Sequence, residues 1–165
     1  MSKWTKGGAD IDGAYRYQLW REWGPGPTCA FVMLNPSTAD AEQDDPTIRR
    51  CLGFAKSWGH GRLVVVNIYP LRATDPAELN GPIDPYGPPG RNEAAIESAA
   101  QEASFVVAAW GATRHRTPAA QRAIRAVTKH RDLYRLRATK DGAPAHPLYL
   151  PASVGFHVWC AKEPS

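Results

Sequence analysis

Residues 31–40 constrain the possible folds of this chain more than any other stretch. A short apolar run here ends abruptly in a polar loop, and residues 45–47 then open a helix. Residues 63–68 and 105–110 are apolar runs of the same form, each followed by a loop with polar residues or glycine. Buried strands that deliver polar side chains to the mouth of a helix are how α/β folds build small-molecule sites. We therefore expect the three strand ends to converge on one crevice.

The apolar runs predict the strands of a central sheet. Residues 63–68 form a continuous run rich in valine, which is typical of a central parallel strand. Two sets of side chains alternate along residues 15–20, as in a strand with two faces: Tyr15, Tyr17 and Leu19 against Arg16, Gln18 and Trp20. The glycines and prolines of residues 24–27 predict a turn that joins this strand to residues 29–34 in an antiparallel hairpin. Residues 133–138 predict a further strand.

Helices are predicted between these strands. Asp45 is a suitable N-cap, and Pro46 suits the first turn of a helix over residues 46–58. Apolar residues recur in that helix at the spacing that places them on one face. Residues 92–103 and 117–130 predict two more helices.

This order of elements predicts one α/β domain over residues 1–165. We expect a three-layer α/β/α sandwich around a central, mainly parallel sheet. Residues 69–90 are rich in proline, glycine and aspartate and predict a long loop. Residues 1–13 and 161–165 are expected to be loosely ordered.

Composition narrows the class of protein. A net charge of +4 and a pI near 9.1 permit contact with nucleic acid or a nucleotide phosphate without requiring it. Basic residues concentrate in residues 114–140, where they form either a binding face or a solvated helix surface. The 3 cysteines are far apart, so neither a zinc site nor a disulfide framework is expected. No secretory segment and no apolar stretch of membrane length is visible, which favours a cytoplasmic protein without a membrane partner.

The loop after residue 34 holds the strongest candidates for chemistry. The amide of Asn35 cannot act as a general base, but it can orient a water molecule or stabilise a developing charge. Pro36 stiffens the exit from the strand. Ser37 and Thr38 add hydroxyl groups near a helix N-terminus, where an anion can bind. The alternative is ordinary turn chemistry, since these residue types are common in turns.

Three aspartates follow in the same region. Capping explains Asp45 and solvation explains Asp44, whereas Asp40 is the best candidate for a catalytic carboxylate. A dedicated metal site is not expected here, and the sequence predicts no cofactor. Further along the chain, Asn67 could read the edge of a base and Tyr69 could stack on it. The alternatives are structural hydrogen bonding for Asn67 and cover of the sheet edge for Tyr69.

A loop histidine completes this set of candidates. His146 lies between Pro144 and Pro147, where it could polarise a carbonyl group or contact a leaving group. Hydrogen bonding within the loop is the alternative.

These motifs resemble a known family at close range. The sequence is similar to the bacterial and phage family catalogued as DUF1643 over residues 14–150. The resemblance rests on residues 34–40, 45–51, 67–70 and 140–150. The family name implies no function.

At longer range the layout resembles the uracil-DNA glycosylase superfamily. That fold has a strand ending in a proline-containing catalytic loop, here residues 35–37, and a later strand ending in asparagine, here Asn67. Residues 107–113 are similar to a further strand end, and residues 146–151 to a late His-Pro loop. The resemblance implies a uracil-DNA-glycosylase-like fold.

The resemblance also implies roles for individual residues. Asn35 would position the water that attacks the sugar or support the cationic sugar, and His146 would stabilise the departing base. Asn67 would read the Watson–Crick edge, and an aromatic residue, Tyr69 or Trp110, would stack on the base. Gly111, next to Trp110, would also contact the substrate. We therefore expect a metal-independent N-glycosidase-type hydrolase acting on a nucleobase in DNA, a nucleoside or a nucleotide.

Two alternatives remain open at this stage. The first is a non-catalytic nucleotide or nucleic-acid binding module, with a role in modified-base sensing or phage defence. It would bind through Arg49, Arg50 and the basic stretch 114–125. The second is a Mg²⁺-dependent phosphoryl-transfer enzyme using Asp40 and Asp44. Protein partners stay undetermined.

Overall fold

The computed structural model describes residues 4–112 and 117–165. Within these residues the chain forms seven strands, three α-helices and two short 3₁₀ helices. In chain order they are β1 (Lys6–Asp12), β2 (Tyr15–Glu22), β3 (Thr28–Met33), α1 (Pro46–Ser57), β4 (Arg62–Asn67), a 3₁₀ helix (Pro76–Asn80), α2 (Arg91–Glu102), β5 (Phe105–Ala108), α3 (Pro118–Thr128), β6 (Leu133–Arg135), a 3₁₀ helix (Pro147–Tyr149) and β7 (His157–Cys160).

The strands form one mixed sheet in the order β1-β2-β4-β3-β5-β6-β7. β4, β3, β5 and β6 are parallel to one another, while β2 pairs antiparallel with β4, β1 with β2, and β7 with β6. The prediction of a mainly parallel sheet is therefore only partly right. Parallel neighbours need a crossover connection, usually a helix. Helices α1, α2 and α3 connect β3, β4, β5 and β6 in this way.

Two local predictions about the first three strands fail. Residues 15–20 and 29–34 do not form a hairpin, because β3 pairs with β4 and β5 on its two sides and β2 pairs with β4 instead. Residues 1–13 were expected to be loosely ordered, yet Lys6–Asp12 is an edge strand. Its glycine-rich and charged sequence lacks the apolar alternation that reveals a strand.

Helices cover both faces of the sheet. On one face, Ile48 and Leu52 of α1 pack on Phe31 and Val65. On the other, apolar residues of α2 and α3 pack on the opposite side chains of the same central strands: Ile96, Ala99 and Val127 on Val32, Val64 and Val66. This double burial is the reason that residues 63–68 are apolar without a break.

Helix α1 begins as predicted. The Asp45 carboxylate accepts a hydrogen bond from the Ile48 N–H at 2.9 Å, and Pro46 occupies the first helical position. The N-cap satisfies one of the amide groups that lack an intrahelical partner. The start of α1 is thereby fixed beside the ends of β3 and β4.

A β-bulge in β2 breaks the predicted alternation of its side chains. Gln18 pairs with Asp10, but the next pair joins Arg16 to Ile11, so Tyr17 is the extra residue. Such a bulge changes the face of the sheet on which the neighbouring side chains lie. Arg16 consequently lies on the α1 face of the sheet, the same face as Leu19.

Candidate functional site

A cavity of about 300 Å³ lies at the carboxyl ends of β3 and β4, on the α1 face of the sheet. It brings together five of the residues predicted from the sequence: Asn35, Pro36, Ser37, Asn67 and His146. The other lining residues are Arg16, Met33, Leu34, Asp45, Thr47, Ile48, Val65, Ala73, Thr74, Pro76, Leu148 and Tyr149.

The loop after β3 is held by a short hydrogen-bonded network. Asn35 Nδ2 donates to the Ala73 carbonyl at 2.8 Å and to the Pro36 carbonyl at 3.0 Å. The Ala73 N–H in turn donates to the Pro36 carbonyl at 2.9 Å. Arg72 Nε donates to the Ser37 carbonyl at 3.2 Å. The NH₂ group of Asn35 is therefore used inside the protein, and its Oδ1 is the atom suited to accept a hydrogen bond from a ligand or water.

Asn67 presents a buried amide to the cavity. The residue ends β4 and is 1% exposed. Within residues 4–112 and 117–165, neither its Nδ2 nor its Oδ1 has a hydrogen-bond partner. Leaving a buried polar group unpaired costs about 1–3 kcal/mol, and native structures rarely retain one without a reason. An amide with one donor and one acceptor edge facing a cavity is suited to a planar, polar ligand.

His146 is held in one orientation by its own loop. Its Nδ1 accepts a hydrogen bond from the Leu148 N–H at 3.2 Å, so the neutral ring carries its proton on Nε2. Burial lowers the pKa of His146 below its usual value, and the Asp45 carboxylate opposes that shift. The side chain is thus a neutral hydrogen-bond donor near pH 7.

Arg50 fixes the same loop to α1. Its Nε donates to the Pro147 carbonyl at 3.3 Å, and its Nη2 donates to the Leu150 carbonyl. Two nitrogens of the guanidinium are thus bonded to the loop that carries His146, and Arg50 is not among the residues that line the cavity. A role of Arg50 in substrate binding stays a prediction.

Arg16 is a cavity residue that the sequence pattern did not reveal. It is 2% exposed, and its Nη1 donates to the Ala39 carbonyl at 3.1 Å. Burial lowers the pKa of Arg16 to about 10, again opposed by Asp45, so the guanidinium stays charged at neutral pH. Alternation along residues 15–20 assigns Arg16 to the wrong face, since the bulge at Tyr17 is invisible in the sequence.

Asp45 serves the cavity as well as the helix. In addition to capping α1, its Oδ2 accepts a hydrogen bond from the Ala39 N–H at 3.3 Å. Its negative charge opposes the lowering of the pKa of Arg16 and of His146 that burial causes. The sequence identified Asp45 as a cap, and that assignment is confirmed, but its electrostatic influence on the cavity depends on the tertiary structure.

The remaining polar candidates lie away from the cavity. The Asp40 carboxylate accepts hydrogen bonds from the N–H groups of Glu42 and Gln43, each at 2.9 Å, and these bonds lower its pKa. Thr38 is exposed, and Arg49 is exposed on α1. Asp40, predicted as a catalytic carboxylate, is therefore not among the residues that line the cavity, and its Oδ1 holds a turn together.

The two aromatic candidates are core residues. Tyr69 is 4% exposed and Trp110 is 2% exposed, and both pack in the hydrophobic cluster on the face opposite α1. Gly111 has φ +88°, and its N–H donates to the Pro144 carbonyl at 2.8 Å. The ends of β3 and β4 and the His146 loop contribute to the cavity, whereas residues 105–112, the described part of the predicted third strand end, do not line it. Thr113, which belongs to that prediction, is outside the described residues.

Metal ligation has little support from the donor groups present. Asp44 Oδ1 accepts from Arg21 Nε at 2.8 Å, and Asp40 is occupied as described. The part of the chain that the structure describes contains no group of three or more histidine, cysteine, aspartate or glutamate side chains placed to hold a metal ion. The predicted basic face over residues 114–140 lies partly outside the described residues.

None of the helices that the structure describes has both the length and the apolar character of a membrane span.

Comparison with known proteins adds a family assignment. No curated protein and no solved structure matches the chain. A family model, DUF1643, described as a protein of unknown function, matches residues 16–148. Because this match covers more than half of the sequence, the chain belongs to the DUF1643 family.

Proposed function

We propose that this protein is a metal-independent N-glycosidase-type hydrolase with a uracil-DNA-glycosylase-like arrangement of its site. It frees a nucleobase from its sugar in a nucleoside, a nucleotide or DNA. The observation that carries the proposal is the buried amide of Asn67, which shares one cavity with Asn35 and His146.

Asn67 is the base-recognising group in this proposal. Its amide offers a donor and an acceptor side by side, which matches the alternating groups on the Watson–Crick edge of a base. Ligand binding would satisfy an amide that has no partner elsewhere in the described residues. The volume of about 300 Å³ is at the small end of the range for small-molecule pockets, which suits a base with its sugar.

His146 and Asn35 supply the chemistry of bond cleavage. As the bond between the base and the sugar breaks, negative charge develops on the base and positive charge on the sugar. The Nε2–H of His146 donates to the developing base anion, and a donor held in a fixed position stabilises that charge. Asn35 Oδ1 accepts a hydrogen bond from the water that adds to the sugar carbon, and the proton of that water passes to the departing base.

The experiment is a substrate panel read by mass spectrometry. Nucleosides, nucleoside monophosphates and oligonucleotides with common and modified bases are incubated with the protein, and free base is measured. We expect base release from at least one substrate and a loss of about 10²-fold or more in His146→Ala, as for one fixed donor at a developing charge. Asn67→Ala is expected to weaken substrate binding.

Matched controls separate these effects from general damage. His157→Ala and Asn80→Ala change exposed residues of the same types outside the cavity and should leave release unchanged. Absence of free base from every substrate would reject the hydrolase. Equal rates in His146→Ala and the unmodified protein would reject the assigned role of His146.

A non-catalytic nucleotide-binding protein is the second candidate. The observation that favours it is the use of Asn35 Nδ2 to tie the loop to Ala73 and Pro36, which is a structural task. In that case the same panel yields a bound nucleotide without product.

A further inference from the structure

Arg16 places a buried positive charge in the cavity that base recognition and bond cleavage do not use. One of its terminal nitrogens donates to the Ala39 carbonyl, a neutral acceptor. Its Nε has no acceptor in the described part of the chain, and no ion pair there includes Arg16. A buried charge without a counter-ion is strongly unfavourable. A partner that enters through the cavity would remove this penalty.

The surroundings of Arg16 compensate its charge only in part. The Asp45 carboxylate is the nearby negative group, but its oxygens accept from the backbone N–H groups of Ile48 and Ala39. Arg72 and Arg21 are close enough to lower the pKa of Arg16, so the field they add is positive. The balance of charge on this side of the cavity favours an anion.

Helix α1 adds a second source of positive potential at the same place. Thr47 and Ile48, in its first turn, line the cavity together with Arg16. Pro46 has no N–H and the Ile48 N–H is bonded to Asp45, so the Thr47 N–H is the donor that this first turn can offer, and the helix dipole favours negative charge at this end. The hydroxyl groups of Thr47 and Ser37 are further donors on the cavity wall.

We infer that this part of the cavity binds the phosphate group of a nucleoside monophosphate. The inference rests on the proposed function and narrows its substrate from any nucleobase compound to a free mononucleotide. The forked donors of an arginine beside a helix N-terminus match the geometry and charge of a phosphate. Asn67 reads the base of this ligand while Arg16 binds its phosphate. A terminal phosphate carries up to two negative charges, against one for a phosphodiester in a strand, so the positive potential favours the free mononucleotide.

The test compares nucleosides with their 5′-monophosphates. Binding and base release are measured for adenosine, guanosine, cytidine, uridine and the corresponding 2′-deoxy compounds, each with and without phosphate, and for short oligonucleotides. A charge-assisted contact predicts that the preferred monophosphate binds about tenfold to a hundredfold more tightly than its nucleoside. Arg16→Gln should abolish that preference while nucleoside binding persists.

Two further measurements keep the test decisive if Arg16→Gln does not fold. Inorganic phosphate should raise the melting temperature of the unmodified protein and compete with the monophosphate. Thr47→Val, which keeps the side-chain shape, should reduce the preference for the monophosphate. Arg62→Gln is the control, since Arg62 pairs with Glu102 at the surface and is not part of the cavity.

Each outcome separates the inference from the proposed function. Equal binding of nucleoside and monophosphate, with no effect of inorganic phosphate, overturns the phosphate site even if base is released. Tight monophosphate binding without base release supports the phosphate site and rejects the hydrolase. Preferential processing of oligonucleotides overturns the inference, and absence of both binding and release overturns both.

Discussion

At the residue scale, the buried amide of Asn67 is the strongest argument for the binding site that we propose. A side chain that is 1% exposed normally satisfies its polar atoms inside the protein. Asn67 has no partner for either amide atom within the described residues, although its backbone carbonyl accepts from Asn92 Nδ2 at 2.8 Å. Functional sites often retain such unfavourable groups, because the ligand satisfies them.

The first prediction concerns stability and binding together. Asn67→Leu replaces the amide by an apolar side chain of similar size. We expect the free energy of unfolding to rise by about 1–3 kcal/mol, since an unpaired buried polar group is removed, while nucleotide binding is lost. Urea denaturation and calorimetric titration measure the two effects. Asn80→Leu, at an exposed position, should change neither, and a less stable Asn67→Leu protein would contradict the expectation.

The second prediction concerns the charge of Asp45. Asp45→Asn keeps a good N-cap but removes the carboxylate that raises the pKa of His146. The pKa of His146 should therefore fall further below its usual value. A proton NMR titration of the His146 ring measures it, with Glu93→Gln on α2 as the control. An unchanged or higher pKa in Asp45→Asn would show that the carboxylate does not act on His146.

At the scale of elements, the cavity depends on how the His146 loop docks onto α1. Arg50 donates to the carbonyls of Pro147 and Leu150, while its neighbour Arg49 is exposed and donates to the Asp44 carbonyl at 3.3 Å. The two adjacent arginines of α1 therefore differ in their contacts. Arg50 lies on the side of the helix that contacts the His146 loop, and Arg49 does not.

The third prediction uses this natural pair. Arg50→Met keeps much of the aliphatic stem but removes both hydrogen bonds to the loop, which are worth about 0.5–1.5 kcal/mol each. His146 then loses its fixed position, so kcat for base release should fall more than KM rises. Arg49→Met should leave both constants unchanged. Steady-state kinetics on the substrate found in the panel provides the measurement, and a larger effect at Arg49 would contradict the assignment.

At the scale of the whole molecule, two histidines link stability to pH. Burial lowers the pKa of both His60 and His146. Below about pH 6.5 the unfolded chain therefore binds more protons at these residues than the folded protein does. Stability rises with pH wherever the unfolded state binds more protons, so it falls on acidification through this range.

The fourth prediction follows from that linkage. The free energy of unfolding should decrease as pH is lowered from 7 to 5, and the decrease should be smaller in a His60→Gln/His146→Gln double variant. Urea denaturation at several pH values measures the slope. His157→Gln, at an exposed position, is the control. An equal slope in the double variant would assign the pH dependence to other groups.

Local sequence patterns determined much of the fold. The continuous apolar run of residues 63–68 predicts a strand buried on both faces, and Asp45 with Pro46 predicts the start of α1. These features can be read locally because burial and capping select residue types directly at the position concerned. The same patterns place Asn35 and Asn67 at strand ends, where parallel strands bring their loops together.

Tertiary structure alone decided which of these residues meet. Asn67 is the last residue of β4 and reaches the cavity, whereas Tyr69, beyond the end of that strand, and Trp110 enter the opposite core. The bulge at Tyr17 turns Arg16 into the cavity, and strand order gives β2 the neighbour β4 rather than β3. Strand order and register are set by contacts between residues far apart in the chain. A local pattern therefore specifies each element and its buried positions, but not the neighbours that complete a site.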